Sequence, residues 1–250
     1  MDVLAIVQAR CSSSRLPGKV IKSLAGKPMI LHELDRLSRS KMIDKIILAT
    51  STEPSDDSLE KVVADRGFDV FRGNLNDVLD RYYQCAKAYN PVHVVRITGD
   101  CPAIDWRLVD KVINTHLEHG NDYTNTSEDY PDGLDTEVIK FSALKEAWQK
   151  ATLLSEREHV TLYLRNHKND FQTETISCEQ NLRFMRWTVD EPQDFTFITQ
   201  VFAELYASKP DFAMQDVLAL LKDRPELMTV NQGIQRNEGL AKSLAHDKII

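Results

Sequence analysis

The chain reads as an α/β protein built on a mainly parallel sheet flanked by helices. Short apolar runs at residues 3–7, 45–49, 68–73 and 93–99 alternate with stretches of helical period. The runs are apolar on both alternations, the pattern of strands covered on both faces. Strands separated by helices imply βαβ units, whose two strands lie parallel.

Each element has a local reason. Residues 3–7 form a buried strand that breaks into "QARCSSSRLPGK", where serines, Pro17 and Gly18 end regular structure. Residues 29–37 carry apolar side chains at helical spacing. "KIILA" at 45–49 is a second strand, and a Ser/Asp cluster at 55–58 is placed to cap a helix over 58–65. "FDVFRG" is a third strand ending at Gly73. Residues 77–89 put Val78, Leu79, Tyr82, Tyr83 and Ala86 on one helical stripe, and "HVVRITG" is a fourth strand ending at Gly99 and Asp100. After about residue 120 the rhythm changes: 121–141 is an irregular, strand-like excursion, helical patterns return at 142–151 and 156–167, and "FQTETIS" and "RFMRWTV" read as further strands. A helix at about 193–207 and amphipathic helical pieces at 212–250 complete the chain, which is expected to be one domain over 1–250.

Composition narrows the class. The 250 residues are 42% hydrophobic and 28% charged, with formal net charge −7, an acidic balance that argues against a nucleic-acid binder. No apolar run nears the ~20 residues needed to cross a bilayer, and the short N-terminal apolar run is too brief for a signal peptide, so the cytoplasm is the expected location and no membrane partner is expected. Cys11, Cys85, Cys101 and Cys178 form no CxxC pair and are expected to be reduced thiols.

Against this acidic background, residues 10–27 hold Arg10, Arg15, Lys19, Lys22 and Lys27 and no acid. In an open parallel sheet, ligands bind beyond the carboxyl ends of the strands, where this loop falls. Small serines and Gly18 let backbone N–H groups close around an anion, and the arginines and Lys19 supply charge for a triphosphate; the plainer reading is a solvated basic loop. Neither GxxxxGKS/T nor GxGxxG follows the strand, which excludes both of the commoner phosphate loops. Asp100 and Asp190 end two candidate strands. They suit a Mg²⁺ site, since that ion takes one or two carboxylates and completes its shell with water and phosphate; equally, Asp190 is placed to cap the helix beginning near Pro192. Asp132, Asp135 and Glu137, with Arg157, Glu158 and His159, are candidates for a pocket taking a hydroxyl-rich acceptor, or only a turn and a helix start. His159 and His167 match no metal spacing.

"VQARCSSSRLPGK" resembles the N-terminal signature of the cytidylyltransferases that activate acidic sugars, roughly (I/V)-P-A-R-x-x-S-x-R-(L/I)-P-x-K. The resemblance continues through "ATSTE", "RGNLNDVLDRYY", "RITGDCPAID", "DGLDTEV", "SEREHVT" and "RWTVDEPQD", and is nearest the spore-coat polysaccharide branch. It implies a nucleotidyltransferase fold related to the glycosyltransferase-A architecture. It also implies Mg²⁺-dependent transfer of CMP from CTP to a sugar, such as a nonulosonic or KDO-like acid, with pyrophosphate release for surface polysaccharide. On that resemblance Arg10, Ser12, Arg15 and Lys19 hold the triphosphate, Thr50, Arg72, Gly73 and Asp77 the base and ribose, and Asp100 and Asp190 the metal, with Gln8 and Ala9 also binding the nucleotide. Lys19, Arg15 and Asp100 are the expected catalytic residues. Asp135, Glu137, Arg157, Glu158 and His159 would face the sugar, and a homodimer is implied. Gln8 stands where the family usually has proline and Cys101 where the KDO enzymes have glutamate. The alternatives are a nucleotide-sugar-dependent glycosyltransferase of similar architecture and a non-catalytic nucleotide-binding subunit.

Overall fold

The computed structural model describes residues 1–250. A seven-stranded sheet has the order β5-β4-β1-β6-β8-β7-β9. Its strands are β1 (Val3–Gln8), β4 (Lys45–Ser51), β5 (Asp69–Gly73), β6 (His93–Thr98), β7 (Tyr123–Thr126), β8 (Glu137–Lys140) and β9 (Thr173–Ile176). The β5-β4-β1-β6 half is parallel, β8 runs antiparallel to both β6 and β7, and β7 pairs parallel with β9. A minimal hairpin, β2 (Ser23–Leu24) and β3 (Lys27–Pro28), follows the basic loop.

Helices cover both faces. A 37-residue core lies on one side, where α1 (Met29–Leu37), α4 (Trp106–His119), α8 (Pro192–Leu205) and α9 (Met214–Asp223) contribute. A 19-residue core lies on the other, under α3 (Val78–Tyr89) and α5 (Phe141–Lys150). Alternate residues of β1 feed the two cores, Ala5 and Val7 one, Leu4 and Ile6 the other. That division explains why its sequence is apolar throughout.

The structure departs from the sequence reading at four places. Helix α4 was not foreseen, although Asp105 accepts the Arg107 N–H at its N-terminus and Gly120 ends it in the left-handed region. The stretch 156–167 is two short helices, α6 (Leu154–Glu158) and α7 (Leu162–Asn166); the break lets the Thr161 hydroxyl donate to Glu137 at 2.7 Å. Residues 183–189 are not a strand. The Trp187 and Thr188 N–H groups both donate to the Asp132 carbonyl and that of Val189 to the Asp100 carbonyl, so the segment stitches two loops together. Finally, Asp56 does not cap α2 (Asp57–Asp65); its carboxylate takes the Cys11 N–H at 2.7 Å and the Thr50 hydroxyl at 2.9 Å, anchoring the basic loop. Helix α10 (Glu238–Ala245) lies against α6, where Asp247 accepts from the Ser155 N–H and hydroxyl.

Candidate active site

At the carboxyl ends of β1 and β6 the chain makes a close crossing. A Cβ at Gly99 would stand 2.7 Å from that of Ala9 and 3.0 Å from the Gln8 carbonyl, so only glycine lets the two loops meet. The basic loop then folds over this edge. Gly18, at φ +68°, turns the chain into a single 3₁₀ turn that begins with Lys19 and aims its side chain inward.

Lys19 is 7% exposed. Its ammonium donates to Asp100 Oδ2 at 3.1 Å, Asp190 Oδ1 at 2.8 Å and the Val189 carbonyl at 2.7 Å. Burial disfavours the charged amine, but the two carboxylates outweigh it, and its pKa lies above the ordinary value. Asp100 is the mirror case: burial works against ionisation, yet Lys19 and hydrogen bonds from Thr98 and Cys101 hold it below the usual carboxylate range. Behind it, Glu33 takes the Cys101 N–H at 3.1 Å. Burial, aided by the charge of Asp100, drives Glu33 well above the ordinary range.

The alternative role for Asp190 is resolved by geometry. The Asp194 carboxylate, not that of Asp190, accepts the N–H groups of Asp190 and Glu191 at the start of α8. The Asp190 carboxylate instead meets Lys19, Arg15 at 3.0 Å and Arg186 at 3.0 Å. Arg186 also grips Asp194 and Asp132. Asp132 is pushed up to about 7 by burial and by the charge of Asp135, which Arg236 and Arg186 only partly offset.

Two recesses share this centre. One, of about 230 Å³, is lined by Gln8, Ala9, Arg10, Arg15 and Lys19 among others. The other, of about 330 Å³, is lined by Asp132, Asp135, Glu137, His159 and Arg165 among others. Arg15, Thr98, Asp100 and Asp190 belong to both. A larger cavity of about 400 Å³ beneath the C-terminal segment contains none of the residues singled out by sequence.

Several expected residues are employed elsewhere. Ser12 is exposed and outside the first recess, which Ser13 and Ser14 line instead. Thr50 is fully buried on Asp56. Arg72 is spent on Asp57, Glu60 and the carbonyls of Ser51 and Glu53, knotting β5 to α2. Gly73 lines neither recess; a Cβ there would strike Arg81 Cγ at 2.9 Å. Asp77 caps α3 and is held by Arg157, whose guanidinium lies 3.0 Å from both its oxygens and donates to the Trp148 carbonyl. Neither Asp77 nor Arg157 reaches a recess. Glu158 is exposed and accepts from Ser243. Conversely, Arg81, Arg186, Arg236 and Arg165 line the recesses without having been picked out. Arg81 is fully buried, donates to the Asn74 carbonyl, and keeps an unpartnered Nε.

A metal would have two carboxylates here, Asp100 and Asp190, both within 3.1 Å of one ammonium. No cluster of three or more His, Cys, Asp or Glu in metal-holding geometry exists. That donor set fits Mg²⁺, which keeps several waters and takes phosphate oxygens, better than an ion needing a complete protein cage.

Comparison with known proteins agrees with the architecture. The chain is 33% identical over 235 residues to the spore coat polysaccharide biosynthesis protein SpsF of Bacillus subtilis, covering 91% of this chain and 97% of that one. A cytidylyltransferase structure from Leptospira borgpetersenii superposes with TM-score 0.88 at 29% identity, over 94% of this chain and all of that one. The structure of CMP:2-keto-3-deoxy-manno-octonic acid synthetase complexed with CTP shares the fold, with TM-score 0.64 at 17% identity over 82% and 99% of the two chains. No helix is long and apolar enough to cross a membrane. The family model described as cytidylyltransferase matches residues 4–227, and the chain belongs to the cytidylyltransferase family.

Proposed function

We propose that the protein transfers CMP from CTP to an acidic sugar, such as a nonulosonic or KDO-like acid, with Mg²⁺, releasing pyrophosphate and supplying surface polysaccharide synthesis. The observation that carries this reading is the meeting of two recesses at Asp100 and Asp190, with Lys19 between them. A transferase needs two substrates presented to one point, and these recesses share one wall.

The smaller recess takes the nucleotide. Arg10, which makes no ion pair or side-chain hydrogen bond, and Arg15 and Lys19 face the triphosphate. Gln8, Ala9 and Arg81 line the same recess and would meet the base and ribose. The acceptor lies in the larger recess against Asp135, Glu137 and His159. Its hydroxyl oxygen attacks the α-phosphorus, the bond to the α–β bridging oxygen breaks, and the hydroxyl proton passes to water. Lys19 and Arg15 stabilise the charge growing on departing pyrophosphate. Asp100 and Asp190 would hold Mg²⁺, which when bound neutralises phosphate charge. For that, Lys19 must leave the carboxylates and follow the phosphates. SpsF's association with polysaccharide synthesis and the CTP bound by the synthetase support the substrate pair. The protein would work in the cytoplasm, as a homodimer.

Incubation with CTP, Mg²⁺ and a panel of sugar acids tests this. Pyrophosphate and a CMP-sugar are the expected products. Release of a nucleoside diphosphate from a nucleotide sugar, with no pyrophosphate from CTP, would replace the reading with glycosyl transfer.

A further inference from the structure

Residues 232–250 run along the acceptor recess as a strap. Its near end is fixed: Asn231 is 5% exposed and donates to the Arg186 carbonyl and to Asp194, both at 2.9 Å. Beyond Asn231 no residue is buried, and none belongs to either core. Yet residues 235–240 all line the recess, so the strap is one of its walls.

What holds the strap down is polar. At the far end the Leu154 N–H donates to the Lys248 carbonyl and the Ile250 N–H to that of Thr152, both at 2.9 Å, beside the contact of Asp247 with Ser155. In the middle the Ser243 hydroxyl donates to Glu158 at 2.7 Å, and Glu238 meets Arg15 at 3.3 Å. Charged ties of that exposure contribute little. Arg236 differs. Its side chain is 14% exposed, and it donates to the carbonyls of Glu128 and Tyr130, both at 2.9 Å, and to Asp135 at 2.6 Å. All three acceptors lie on the connection between β7 and β8, so one guanidinium ties the strap to the sheet. Asn237, at φ +59°, then turns the chain into α10. A segment with no apolar burial, closed by a few hydrogen bonds, opens at far less cost than global unfolding.

We propose that this strap is a gate on the acceptor recess, with Arg236 as its latch. The acceptor enters when the strap lifts from α6 and Arg236 releases the β7–β8 connection. Closed again, the strap screens the transfer point from bulk water. The inference rests on the proposed transfer for what the recess holds, and adds how the acceptor reaches it. Arg236 acts here through the strap, as a positioning residue.

Leu153 and Ile249 are antiparallel bridge partners flanked by the two far-end hydrogen bonds, a pairing whose Cα atoms stand close enough for a disulfide. Leu153→Cys/Ile249→Cys therefore ties the strap shut when oxidised and frees it when reduced. Pyrophosphate release from CTP and Mg²⁺ is measured with 3-deoxy-manno-octulosonate and N-acetylneuraminate. Oxidising the pair should lower turnover at least tenfold and dithiothreitol should restore it, with wild type indifferent to both treatments and the thermal shift given by CTP the same in both states. Equal turnover in the two states overturns the gate. Arg236→Ala should raise the acceptor's KM at least fivefold and that of CTP less than twofold, with Arg236→Lys recovering part; equal rises in both overturn the latch. Hydrogen exchange reads the strap without any substrate. Amides of 238–246 should be at least tenfold less protected than those of α9 in wild type, and Arg236→Ala should speed them at least fivefold more while α9 is unchanged. Strap amides as protected as α9, or unmoved by Arg236→Ala, overturn the proposal. Should neither sugar acid yield pyrophosphate, the transfer reading fails for these acids and the exchange result alone decides the strap.

Discussion

Lys19 Nζ lies 2.8 Å from Asp190 Oδ1, in a loop and a late segment 171 residues apart, and the same ammonium reaches Asp100 at 3.1 Å. The ammonium supplies the positive charge that two neighbouring carboxylates call for. The pairing makes Lys19 a structural group, which the basic loop's position alone did not indicate. An exposed lysine could be removed without consequence to the fold; this one is buried.

Lys19→Ala should therefore lower kcat at least a hundredfold, the scale seen when a donor to developing negative charge is lost. It should also cost about 2 kcal/mol of stability by leaving two partly buried carboxylates facing each other. Millimolar Mg²⁺ should restore more melting temperature to the variant than to wild type. Thermal unfolding with and without Mg²⁺ checks this; equal responses would mean that lysine and the ion do not compete for one place.

Asp100→Asn and Asp190→Asn should each raise the Mg²⁺ concentration needed for half-maximal turnover at least tenfold. Asp190→Asn should leave the start of α8 intact, because Asp194 does the capping. Unchanged metal titrations would remove both residues from the ion.

Asp194→Ala should be the most destabilising of these substitutions. It strands the guanidinium of Arg186 in a buried setting and uncaps α8, at about 3–5 kcal/mol for breaking a buried pair. Chemical denaturation measures it; a loss below about 1 kcal/mol would show that Arg186 finds equivalent partners.

Arg157→Ala should reduce stability by about 2 kcal/mol through the lost Asp77 and Trp148 contacts, leaving the KM values of both substrates near wild type in protein that remains folded. A selective rise in acceptor KM would return Arg157 to the acceptor pocket.

His116, buried between His93 and Thr124, is lowered to about 4, first by burial. The unfolded chain binds that proton near pH 6.5 and the folded chain only near 4, so this contribution is fully present above pH 6.5 and lost on descending to 4. The slope reaches about 1.4 kcal/mol per pH unit. His116→Gln should flatten stability against pH across that window relative to wild type; parallel curves would refute the assignment.

The sheet's parallel half and the basic loop were legible because their signals are local. Apolar runs mark β1, β4 and β6, and Arg10 through Lys19 are contiguous. Asp100 was legible from its place at a strand end. Arg81, Arg186 and Arg236 were not, because each acquires its role from loops far away in sequence: Arg236 meets Asp135 across 101 residues. Thr50, Arg72 and Asp77 misled for the opposite reason. They stand close to strand ends, yet Asp56, Glu60 and Arg157 claim their polar groups. Residues 183–189 carried an apolar alternation fit for a strand, but β9 already takes the free side of β7, and the segment's N–H groups go to loop carbonyls.

The loop around Lys19 is proposed as a cytidine triphosphate site opening onto Asp100 and Asp190. Thermal unfolding with each of the four ribonucleoside triphosphates, with and without Mg²⁺, tests it most directly, since a ligand at a hundred times its Kd stabilises by about 2.7 kcal/mol. A Mg²⁺-dependent rise with CTP is expected, exceeding those with ATP, GTP and UTP and disappearing in Lys19→Ala. No rise with any triphosphate, or an undiminished rise in Lys19→Ala, would contradict it.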